Sequence, residues 1–324
     1  MSTLTIRGLK KVLGTFKRSK YKGVPGVVRI DGPKPGPVLG ITACTHGNEP
    51  AGLAVFHSLL KELNIKKTLQ CGTLYMVVNN IVAAEAFFVA TTDSEKDAAR
   101  YTEVNMNRLP DDTLVTYADR RYEVIRAREL YPIWRRFTVG LDIHSTLQPT
   151  PAVIVSRGNN FERIAKLVRG FPVEVLVSNI DEVQINTPAF AFYGGIGNDV
   201  PVFAIEAGQH TNPRTLKIAK DCAVALLQNL KMLPGIPDIA VTEYREYEIA
   251  GSVMFPEKSF DFIKEFKTFD VIQQGDVLAR NREGQEMLAP FDGQLFLPTE
   301  KRGEKKVITE EVSFISRPVK IRRI

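Results

Sequence analysis

Between residues 26 and 232, short apolar runs rich in β-branched residues alternate with longer segments whose apolar positions recur at helical spacing, and this alternation limits the fold more than any other feature. GVVRIDGPKPGPVLGITAC, from residue 26, reads as two strands about a Pro/Gly turn. PAGLAVFHSLLKEL follows as a helix, with Leu53, Phe56, Leu60 and Leu63 at helical spacing and Pro50 in the tolerated first turn. Next come strand-like TLYMVV (73–78), a polar loop through Asn107 and Arg108, helix-like 119–137 and strand-like VGLDI (139–143). Strand-like 152–156, helix-like FERIAKLVRGF, strand-like 173–177 and 201–206, and a helix from about Pro213 to Met232 complete the series. The pattern implies a layered α/β domain. Pro234-Gly235-Ile236-Pro237 ends it, and the short strand-like runs and repeated glycines beyond imply a catalytic-size domain over 1–237 and a small β-rich domain over 238–324.

Composition excludes several classes. The chain has 324 residues, 44% hydrophobic and 25% charged, enough for two globular domains. No stretch nears the roughly 18 consecutive apolar residues that span a bilayer, and the opening lacks a signal-type apolar segment, so a soluble, cytoplasmic protein with no membrane partner is expected. Cys44, Cys71 and Cys222 are widely spaced without C-x-x-C, which suggests buried thiols rather than a disulfide framework or thiolate metal site. The net charge is +6, and residues 301–324 hold eight Lys/Arg against three Glu. That excess reads as a solvated basic end, and with no aromatic-interleaved basic stripe no nucleic-acid partner is expected.

Polar residues gather where apolar strands stop, the place where α/β sheets collect ligands. His46 and Glu49 sit in the loop between a strand and a helix, close enough in sequence for an imidazole and a carboxylate to meet one ion. His144 ends VGLDI and supplies a third donor; two His, one Glu and an open position make a catalytic zinc set. Asp142 points the same way as His144 and reads either as a partner for a ligating imidazole or as an ordinary strand-end aspartate. Glu206 ends the apolar run VPVFAI, where an ionised carboxylate is costly; it reads as a general base and acid, or as a partner of a core arginine. Arg100, Asn107 and Arg108 in RYTEVNMNR make a donor-rich segment suited to a carboxylate or an oxyanion, or simply a solvated loop. His57 reads as a helix-surface residue, and His210 as one that lines the site without ligating.

Four motifs in order, THGNEPAG, ARYTEVNMNR, LDIHST and AIEAG, resemble those of the succinylglutamate desuccinylase and aspartoacylase family, which is similar in fold and site to zinc carboxypeptidases. The likeness runs over roughly residues 36–232. It implies a three-layer α/β/α carboxypeptidase-like domain with a mixed sheet, then a β-rich domain that narrows the entrance. It also implies Zn2+ on His46, Glu49 and His144, Glu206 as base and acid, Arg100 on the scissile carbonyl, and Asn107 with Arg108 on the carboxylate of a small-molecule substrate. The implied reaction is hydrolysis of an N-acyl amino acid amide. A metallocarboxypeptidase acting on short peptides and a non-catalytic metal-containing binding protein are the alternatives, and a homo-oligomer stays open. Aspartoacylases carry a further arginine shortly before the catalytic glutamate, whereas this sequence has no Arg or Lys between Gly170 and Glu206. Phe190, Phe192 and Tyr193 stand in that interval, and a less polar acyl group is the expectation they raise.

Overall fold

The computed structural model describes residues 5–323 apart from 110–111, 113, 115–116, 159–160, 185–186, 196–198, 211, 239–242 and 299–309. Its frame is a mixed sheet of eleven strands. In chain order these are β1 (Val27–Asp31), β2 (Val38–Ala43), β3 (Thr73–Val78), β4 (Val139–Thr146), β5 (Val153–Ser156), β6 (Val175–Ser178), β7 (Val202–Gln209), β8 (Glu243–Val253), β9 (Val271–Ile272), β10 (Gly293–Phe296) and β11 (Ser313–Arg323). They lie in the order β9-β10-β11-β8-β6-β5-β7-β4-β2-β3-β1.

At the centre β3, β2, β4 and β7 run parallel, while β1 and β5 run antiparallel to their neighbours β3 and β7. Every residue of β4 is buried, as a parallel strand covered on both faces must be. One face packs on helices Ile6–Arg18, Ala51–His57 and Pro213–Asn229, through residues such as Phe16, Phe56 and Leu226. The other packs on helix Tyr122–Trp134 and the 3-10 turn Ala189–Phe192. The expected three-layer α/β/α arrangement with a mixed sheet is therefore the observed one.

Two segments depart from the sequence reading. Ile6–Arg18 is a helix whose Leu9, Val12, Leu13 and Phe16 are buried at the spacing of a single helical stripe. Low overall apolarity hid it. Helices Ile81–Val89 and Asp93–Ala98 likewise interrupt what reads as one polar loop.

Beyond residue 242 the chain re-enters the same sheet: β8 pairs in parallel with β6 and antiparallel with β11. A second sheet of Asp261–Phe262, Val277–Arg280 and Glu286–Leu288 packs with a separate apolar cluster that includes Phe255, Phe262, Leu278 and Ile315. Of the segment that reads as a solvated basic end, residues 301–309 lie outside the described residues. Residues 313–316 of β11 are buried between β8 and β10, Arg317–Ile321 are exposed, and Arg322 is half-buried against Glu246. Counting charges over the whole segment concealed a strand anchored at its apolar half. No described helix is long and apolar enough to cross a membrane.

Candidate active site and metal centre

Three adjacent parallel strands deliver the site. β2 ends at Ala43, and Cys44, at φ 53° and fully buried, turns the chain sharply out of the sheet. The amides of Asn79 and Asn80 donate to the carbonyls of Ala43 and Cys44 and fix that turn. Strain of this kind persists only where surrounding contacts enforce it. Gly47 N–H then donates to the Arg100 carbonyl at 2.8 Å. A Cβ at Gly47 would come within 2.2 Å of the Ala83 carbonyl carbon, so only glycine lets the two segments approach this closely.

The chain next places His46 Nδ1 2.7 Å from Glu49 Oε1, and β4 brings His144 Nδ1 to 2.8 Å from Glu49 Oε2. The donor atoms of the three buried residues all lie within 4.8 Å of one another. Each imidazole is held from behind: His144 Nε2 is 3.0 Å from Asp142 Oδ2, and His46 Nε2 is 3.0 Å from Asn105 Oδ1. Asp142 is itself fixed by Thr42 and Thr45 hydroxyls, so it acts as the orienting partner rather than an ordinary strand end. Asn105 is absent from the sequence reading. In VNMNR it looks no different from its neighbour Asn107, and only the fold shows which of the two faces a histidine.

Burial and then Arg100 drive the His46 pKa down to about 4, which favours a neutral imidazole. For His144 burial pulls the same way, but Asp142 and Glu49 outweigh it and hold the ring well above its ordinary value. Burial likewise opposes ionisation of Glu49, and His46 and His144 override it. The cluster is thus a buried carboxylate set between two oriented rings, with the positive charge favoured on His144 and not on His46. A divalent ion of the zinc, nickel or cobalt type suits this N, O, N donor set, and each ring already has its second nitrogen engaged as ligating imidazoles require.

A cavity of about 140 Å³ opens above the cluster, lined among others by Glu49, Arg100, Asn105, Arg108, Glu206 and Glu311. Glu206 lies on β7 directly opposite His144 in the pairing with β4, beside a register shift that ends at Thr146. Its Oε2 is sealed from solvent without a hydrogen-bond partner, and burial pushes the pKa up to about 8. Arg100 Nη1 reaches Glu49 Oε1 at 2.8 Å. The loop from Arg100 to Arg108 is wrapped on the fully buried Glu123, which accepts from the amides of Thr102, Glu103 and Val104 and from Asn80 Nδ2. Sequence reasoning passed over Glu123 because it stands in a helix-periodic segment like any charged helical residue.

Arg108 and Asn107 diverge. Arg108 faces the cavity with Nε 2.7 Å from Glu311 Oε2, whereas Asn107 Oδ1 accepts the Ala189 amide at 3.2 Å and holds the 3-10 turn. The expectation for Phe190, Phe192 and Tyr193 is corrected: all three belong to the core, with Phe192 and Tyr193 against Trp134 and the Tyr193 hydroxyl donating to Thr42 Oγ1 at 2.8 Å. None lines the cavity. His210 meets Ser145 Oγ at 2.8 Å, and His57 turns toward Glu62.

Fold and donor set together define a class: a three-layer α/β/α chain whose central parallel strands carry a His-Glu-His group able to hold a metal. Residues 35–222 match the model of the succinylglutamate desuccinylase/aspartoacylase catalytic domain, and the chain belongs to that family. Solved structures share the fold. Succinylglutamate desuccinylase from Vibrio parahaemolyticus superposes with a TM-score of 0.68 at 16% identity, covering 91% of this chain and 87% of that one. The enzyme of the same name from Chromobacterium violaceum gives 0.67 at 16% identity over 96% and 97% of the two chains, and murine aminoacylase 3 gives 0.60 at 20% over 88% and 96%. No curated protein matches the chain in sequence.

Proposed function

We propose that the chain is a zinc-dependent hydrolase that cleaves the amide bond of an N-acyl amino acid. The observation that carries the reading is the convergence of His46 Nδ1, Glu49 and His144 Nδ1 beneath a cavity that also presents Glu206 and Arg100. His46, Glu49 and His144 would hold the ion, which when bound supplies Lewis-acid polarisation of the scissile carbonyl and acidifies water.

The chain's own residues do the rest. Glu206, whose Oε2 is sealed from solvent without a partner, takes a proton from the attacking water and delivers it to the departing nitrogen. Arg100 donates to the carbonyl oxygen as negative charge develops there. Arg108, held at Nε by Glu311 and at Nη1 by the Asn107 carbonyl, presents Nη2 to the substrate carboxylate. Family membership supports the amide-cleaving chemistry, and the donor set supports the metal.

The test is release of free α-amino groups from a panel of N-succinyl, N-acetyl and aromatic N-acyl amino acids by protein reconstituted with zinc, nickel or cobalt. Turnover that tracks metal content and disappears in Glu206→Ala supports the reading. No release from any substrate with any metal refutes it, and preferential cleavage of peptides with free over blocked C-termini would make the chain a carboxypeptidase instead.

A further inference from the structure

The two ligating histidines are oriented by different kinds of group. Behind His144 stands Asp142, a carboxylate whose oxygens both accept, so it has no wrong way round. Behind His46 stands the amide of Asn105, which accepts on one side and donates on the other. An amide fixes an imidazole only if something fixes the amide.

Two contacts do so. The Asn107 amide donates to Asn105 Oδ1 at 2.9 Å, and Asn105 Nδ2 donates to Glu310 Oε2 at 3.1 Å. Asn105 is 1% exposed, so bulk water does not compensate a wrong orientation. A flipped amide would set its NH2 against the Asn107 N–H and its oxygen against the Glu310 carboxylate. Glu310 comes from 205 residues away, just ahead of β11, and the next residue, Glu311, grips Arg108 on the same 105–108 turn. The C-terminal strand is thereby fastened to the loop behind the first metal ligand.

We propose that Glu310 is a positioning residue for the metal site. By accepting from Asn105 Nδ2 it holds Asn105 Oδ1 toward His46, which keeps the ring proton on Nε2 and leaves Nδ1 bare for the metal. The inference rests on the reading of His46, Glu49 and His144 as metal ligands, and needs no particular substrate.

The experiment measures zinc affinity by competition with a chromophoric chelator, using the full chain and zinc alone. Glu310→Ala should weaken zinc binding by about tenfold, within the range typical for groups that orient a ligating histidine. Glu310→Gln, which keeps an acceptor oxygen, should stay near wild type. In an Asn105→Asp background the residue behind His46 no longer has an orientation to lose, so Glu310→Ala and Glu310→Gln should bind zinc alike. Wild-type affinity in Glu310→Ala, equal losses in Glu310→Ala and Glu310→Gln, or an undiminished effect of Glu310→Ala in the Asn105→Asp background would each overturn the proposal. A wild-type chain that takes up no zinc overturns the metal reading and this one with it; tight zinc without amide hydrolysis removes only the proposed activity.

Discussion

Replacing Glu206 by glutamine separates its proposed catalytic role from its structural cost. In the metal-free protein the Glu206 carboxyl is pushed from 4.5 to about 8, chiefly by burial, with Glu49 and Asp142 acting in the same direction and His144 and Arg100 against it. The sign follows from proton counting. Between those two values the folded chain keeps a proton that the unfolded chain has lost, so stability falls as pH rises through the window. At about 1.4 kcal/mol per pH unit the full window is worth about 5 kcal/mol, a ceiling because neighbouring charges readjust. Glu206→Gln has no proton to lose. Urea denaturation of chelator-treated wild type and Glu206→Gln, at pH 5 and pH 8.5, should therefore show the variant gaining on wild type as pH rises, by at least about 2 kcal/mol. The zinc-loaded variant should at the same time lose about 100-fold or more in kcat, the usual worth of a general base. A stability difference that is the same at both pH values would refute the assignment of a raised carboxyl pKa at this position.

Three further outcomes are expected. Zinc binding to the apo-protein at pH 7 should release about two protons, because the ion replaces the proton that Asp142 and Glu49 hold on His144 and its charge favours ionisation of Glu206; calorimetry in buffers of different ionisation enthalpy measures it, affinity should fall as pH is lowered, and His46→Ala with His144→Ala should abolish uptake. Arg108→Met withdraws a cation from the fully buried Glu311 side chain and should cost about 3 kcal/mol in thermal or urea unfolding and raise KM, whereas adding Glu311→Met should restore most of the stability but not KM. Glu123→Ala removes a fully buried carboxylate that accepts from four N–H donors and should cost about 3 kcal/mol while lowering kcat/KM, since the loop it wraps carries both Arg100 and Arg108; an unchanged kcat/KM would show that the loop holds its shape without it.

What the sequence made legible was whatever depends on local periodicity. Strands 73–78, 139–143 and 201–206 announce themselves because a parallel strand buried on both faces must be continuously apolar, and a polar residue at its end is then conspicuous. His46, His144 and Glu206 were found in that way. Residues whose role depends on a distant partner left no such mark. Asn105 is one of two asparagines in a five-residue motif, and its meaning comes from His46 and Glu310. Phe190, Phe192 and Tyr193 occupy the stretch just before β7, yet all three belong to the core, Phe192 and Tyr193 against Trp134, instead of the cavity lining. The helix Ile6–Arg18 was legible in principle, since its buried positions follow a simple stripe, but a search for apolar runs does not detect a stripe.

Placing Glu206 opposite His144 across the β4–β7 pair couples two ionisations that a substrate will meet together. In the metal-free cluster the positive charge next to Glu49 is a proton on His144, and against one delocalised imidazolium the burial of Glu206 prevails, leaving its carboxyl protonated near neutrality. A divalent ion held by the same three donors would add positive charge to the cluster while displacing that proton, and any such gain favours the ionised carboxylate. On the proposed reading, occupancy of the cluster, and not Glu206's own surroundings, would arm the base.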